Sequence, residues 1–109
     1  MTIMRKPAMS HEQYLLGKFA EELVELAQIA LKAQQFGLSE VYTADGNTLT
    51  NAERMHLETT DVQAVLEMLN EECALGYTPS RKQLDAKKAK VRKWEAPAAS
   101  LGQVAHKIH

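Results

Sequence analysis

Apolar positions recur along most of this chain at the three- and four-residue intervals of a helix, and no segment alternates with the period of a strand. The pattern predicts three helices. The first spans about residues 10–36: Ser10 and Gln13 have capping-box spacing, and Gly37 is a stop. The second spans 51–75, opened by Thr50 with Glu53 three residues on and closed by Gly76; the third spans 80–94, opened by Pro79 and Ser80. Residues 38–50 read as a loop turning at Asp45-Gly46-Asn47, and the tail 96–109 has room for one short helix after Ser100. At 109 residues this is a single domain, 1–109, of all-α class. Helices joined by short connections favour an antiparallel bundle.

The apolar arcs are wide. At about 100° per residue, Leu15, Leu16, Phe19, Leu23, Val24, Leu26, Ala27 and Ile29 cover well over half of the first helix. A helix apolar over that arc needs neighbours on two sides, so the bundle is expected to be completed by oligomerisation, as a homodimer or homotetramer.

Acids on the apolar faces carry the candidate chemistry. On the second helix Glu53, His56, Thr60, Gln63, Glu67 and Glu71 share the polar side, whereas Glu58 and Asp61, three residues apart, fall within the arc of Leu57, Val62, Val65 and Leu69. On the first helix Glu22 projects between the directions of Leu15 and Ile29, with Glu25 at the arc's edge. Burying an unpaired carboxylate costs several kcal/mol, so these acids need compensation. A hard divalent cation, Mg²⁺ or Mn²⁺, provides it through oxygen ligands. Buried salt bridges provide it too, with Lys18 or the basic third helix as partners.

Charge sharpens the contrast. Between Glu21 and Glu72 lie eleven of fourteen acidic residues and two basic ones, while Arg81 to Lys93 holds seven of thirteen basic residues and one acid. The acidic helices and a net charge of −1 argue against nucleic acid as a partner. No apolar run approaches the roughly 20 residues that span a bilayer, and the polar stretch Met1–Met9 lacks a signal peptide's apolar region. The single cysteine, Cys73, cannot form an internal disulfide and reads as a core thiol; a cytoplasmic location is expected. The Glu53…His56 spacing of di-iron bundles lies on the solvent face, the four histidines have no zinc-ligand spacing, and no phosphate-binding glycine loop is present. Trp94, Tyr14 and Phe19 are expected in the core.

Glu21-Glu22-Leu23-Val24-Glu25 followed by Glu58-Thr59-Thr60-Asp61 resembles the EExxE…ExxD signature of the all-α nucleoside triphosphate pyrophosphohydrolases, the MazG-like superfamily. The stretch between Glu25 and Glu58 is longer than in many MazG-type domains, so residues 38–50 look like an insertion. The resemblance implies Glu22, Glu25, Glu58 and Asp61 as Mg²⁺ ligands, with Glu22 or Glu25 as general base. It implies Lys88 and Arg92, one turn apart, as triphosphate contacts, with Lys87 and Lys90 as substitutes. The implied reaction converts an NTP or dNTP to a monophosphate and pyrophosphate. The alternative is a non-catalytic helical interaction protein whose acids form structural salt bridges.

Overall fold

Two capping boxes start the principal helices. In the computed structural model, which describes residues 7–105, α1 spans His11–Phe36, α2 Asn51–Glu72 and α3 Arg81–Ser100. Ser10 Oγ accepts from the Gln13 amide while the Gln13 side chain accepts from the Ser10 amide. Thr50 and Glu53 repeat the arrangement at α2. Each reciprocal pair satisfies amides that a helix start leaves without partners. The chain divides into two compact units, Met1–Gly76 with α1 and α2, and Tyr77–His109 with α3. The fold is all-helical, and the described residues contain only an isolated β-bridge, Val41 to Thr50.

Residues 38–50 form a folded connection, built largely from the amides at the start of α2. The Asn51 and Ala52 amides donate to the carbonyls of Glu40 and Leu38 at 2.8 and 2.9 Å. The Asn51 side chain, fully buried, donates to the Gly37 carbonyl at 2.9 Å. A single 3₁₀ turn, Thr43–Asp45, ends at Gly46, whose φ of 78° is the left-handed conformation that glycine adopts without a Cβ clash. The rings of Phe36 and Tyr42 lie 5.6 Å apart, and the Lys32 ammonium sits 4.3 Å from the centre of the Tyr42 ring. The connection is thereby fastened to the end of α1 and the beginning of α2.

α1 and α2 pack against each other as a hairpin. At its open end His11 Nε2 lies 3.0 Å from Glu72 Oε1. Few apolar side chains are fully enclosed: Leu15 and Ile29 from α1 and Leu69 from α2. The broad arcs are otherwise exposed, with Leu31 at 63% and Leu57 at 59%.

Several expectations need correction. α2 ends at Glu72, not residue 75; Cys73 is extended, and Gly76 at φ 63° turns the chain three residues after it. Glu71 and Glu72 place negative charge at the negative end of the helix dipole, with no base in the last turn to offset it. α3 continues past residue 94, through Pro97, to Ser100. Near a helix end proline forfeits one backbone bond, and Ala96, Ala98 and Ala99 favour helix around it. No helix follows over 101–105; the rest of the tail, with His106 and His109, lies outside the described residues. Trp94 and Tyr14 are exposed at 69% and 52%, not core residues. Tyr14 lies instead beside Lys18, whose ammonium is 5.7 Å from its ring centre. Phe19 and Cys73 are half-buried. Among the described residues no helix is long and apolar enough to cross a membrane.

The caps supply a test of this part of the fold. Thr50→Ala removes the acceptor for the Glu53 amide, and chemical denaturation should show a loss of about 1 kcal/mol. An unchanged midpoint would mean that the box contributes nothing.

Candidate metal centre

The inward line of α1 repeats every seven residues: Leu15, Glu22, Ile29. Its outer members are buried, and Glu22 occupies the same register between them. On α2 the corresponding line runs Asn51, Glu58, Val65, so Glu58 also sits at a packing position, one turn from Asp61. The hairpin brings both lines together. Ligand-type oxygens of Glu22, Glu58 and Asp61 lie within 4.8 Å of one another, with Glu22 and Glu58 half-buried and Asp61 exposed. Among the described residues no other group of His, Cys, Asp and Glu side chains comes together in this way.

Two oxygens of this cluster are enclosed and lack a hydrogen-bond partner, Glu22 Oε2 and Glu58 Oε1. A buried carboxylate oxygen with no donor is costly. The Glu58 carboxyl responds by holding its proton: its pKa is pushed up to about 7. Burial is the first cause, followed by a hydrogen bond and charge repulsion from Glu22, then the charges of Glu25 and Asp61.

The sequence-derived residues separate into groups. Glu22, Glu58 and Asp61 come together; Glu25 is exposed and outside that trio, close enough for its charge to act on Glu58. Glu21 faces solvent as expected and accepts from Lys18 at 3.1 Å. Lys88 and Arg92 lie on α3, in the other unit, where with Lys87 and Val91 they border an exposed depression of about 220 Å³. Glu53, half of the di-iron spacing, is committed to capping Thr50, whose amide and hydroxyl hold its carboxyl below the usual range. Asn51 was not among the sequence candidates. It is buried, its Oδ1 also lacks a partner, and its position seven residues before Glu58 is the signal that marks it as inward-facing.

The trio fits a hard divalent cation in its donor chemistry: all three ligands are carboxylates, and enclosed oxygens lack donors. Such a site leaves coordination positions for water or phosphate oxygens. No protein-family model, curated protein or solved structure matches this chain. The likeness of its two acidic motifs to the pyrophosphohydrolase signature therefore stands on the residues themselves.

The proton on Glu58 predicts a pH dependence. An acid whose folded pKa is raised contributes stability below its ordinary pKa, and that contribution is lost as pH rises through the folded value. In EDTA, denaturation free energy should therefore fall between about pH 4.5 and about 7. Glu58→Gln should flatten that slope; an equal slope in both proteins would place the titration elsewhere.

Proposed function

We propose that this chain is a Mg²⁺-dependent nucleoside triphosphate pyrophosphohydrolase of MazG-like type, cytoplasmic and working as a homodimer or larger bundle. The observation that carries this reading is the meeting of Glu22, Glu58 and Asp61, with one enclosed, unpartnered oxygen on each of the first two. Those three come from the two motifs that resemble the superfamily's signature. The salt-bridge alternative has less support: Lys18, the nearby candidate cation, pairs with Glu21.

Glu22, Glu58 and Asp61 would hold Mg²⁺ or Mn²⁺, with Glu25 at the margin. When bound, the ion supplies Lewis-acid polarisation of phosphate oxygens and a more acidic water. Glu25, outside the trio and exposed, is suited to accept the proton of the attacking water; Glu22 is the other candidate base. Water adds at the α-phosphorus, the bond to the α–β bridging oxygen breaks, and pyrophosphate leaves as the monophosphate forms. Lys88 and Arg92 offset the triphosphate charge.

The test is pyrophosphate release from each common NTP and dNTP, with Mg²⁺ and with EDTA. Turnover is expected only with the ion, and Glu58→Gln and Asp61→Asn should each lower it about a hundredfold or more, or about 2.7 kcal/mol of barrier. Mg²⁺ should also raise the melting temperature of the parent protein and not of these variants, because it binds the folded state. No turnover and no specific Mg²⁺ stabilisation would assign the acids a structural role.

A further inference from the structure

The two units carry opposite charge. Met1–Gly76 has twelve acidic and five basic residues, net −7, and Tyr77–His109 has two acidic and eight basic, net +6. Each unit also leaves an apolar strip in water. On α1, Ala20, Val24 and Leu31 share one side, with Val24 57% exposed. Ala20 and Val24, together with Glu21, Glu25 and Gln28, line an open groove of about 450 Å³. On α3, Leu84, Val91 and Trp94 are seven and three residues apart, one helix side, and Val91 is 57% exposed. Lys87, Lys88 and Arg92 lie beside Val91. One surface is an apolar floor with acidic edges; the other is an apolar ridge with basic edges.

We propose that α3 of one copy docks in the α1 groove of a second copy, in a two-fold exchange that brings Lys88 and Arg92 to the acidic margin of the partner's carboxylate cluster. Docking stands on the charge and apolar pattern alone; only the role of the delivered cations rests on the proposed function. A second copy suits the surfaces better than a polyanion. Nucleic acid or an anionic membrane attracted by the +6 unit would be repelled by the −7 unit of the same chain. Two copies satisfy both signs at once, and a two-fold arrangement makes the contact twice. The ion pairs at the edges set orientation and partner choice, while removal of the strips from water supplies the attraction.

The test mixes unlabelled and ¹⁵N-labelled protein by joint unfolding and refolding, and native mass spectrometry counts light–heavy dimers. A zero-length carbodiimide then joins carboxylates to lysines in contact. Cross-links from Glu21 or Glu25 to Lys87 or Lys88 are expected, with the mixed-isotope fraction of random pairing. Monomers only, absence of those cross-links, or like-isotope cross-links within mixed dimers would overturn the proposal; the last would assign the contact to a chain's own α3. The K87E/K88E/R92E variant, checked for retained helicity by circular dichroism, should weaken dimerisation at least about tenfold. Unchanged dimerisation would contradict the docking. Mg²⁺ stabilisation measured on the parent samples separates the two ideas. Mixed cross-links without it retain the docking and remove the enzyme reading, and stabilisation without cross-links does the reverse.

Discussion

A carboxylate turned into the contact between two helices must be met by a proton, a donor or a cation, because the water it leaves behind was a strong partner. Glu22 and Glu58 occupy that position on α1 and α2, each in the register of a core residue. The metal-free chain meets the requirement with a proton on Glu58, and one oxygen of each residue remains without a donor. Hydrophobic residues in these registers would pack without that penalty. The acids oppose stability where they stand, which is why a ligand-binding role accounts for them better than a structural one.

Much of the remaining structure holds those two registers opposite each other. The capping boxes define where α1 and α2 begin, and the loop amides and buried Asn51 tie the start of α2 to the end of α1. At the far end His11 meets Glu72. These polar ties matter because only Leu15, Ile29 and Leu69 are fully enclosed among the apolar side chains. Such a small core supplies limited hydrophobic stabilisation to offset the conformational entropy of the chain. Assembly with a further copy would enclose more apolar surface.

The all-helical fold, the caps and the inward direction of Glu22 and Glu58 were legible because each depends on local spacing: reciprocal side chains three residues apart, or a seven-residue line of packing positions. Glu25 was harder to place. It is one turn from Glu22, yet the difference between a half-buried oxygen and an exposed one depends on how α2 crosses the arc's edge. Burial of Trp94 and Tyr14 was expected from their apolar area, but a short chain cannot enclose every large ring. The early end of α2 and the passage of α3 through Pro97 depend on small differences in end energetics, where acids, alanines and a single lost bond compete. The bonding of Asn51 needed the loop's path, which no periodicity encodes.

The central claim is that the inward carboxylates form a cation site, and the most direct measurement is crystallographic. Crystals grown with Mn²⁺, with data collected on either side of its absorption edge, locate the ion without reference to activity. An anomalous peak bounded by Glu22, Glu58 and Asp61, at the roughly 2.0–2.6 Å distances of hard-cation ligands, is the predicted result. No peak there at saturating Mn²⁺, with Glu22 and Glu58 still sharing their contact, would contradict it.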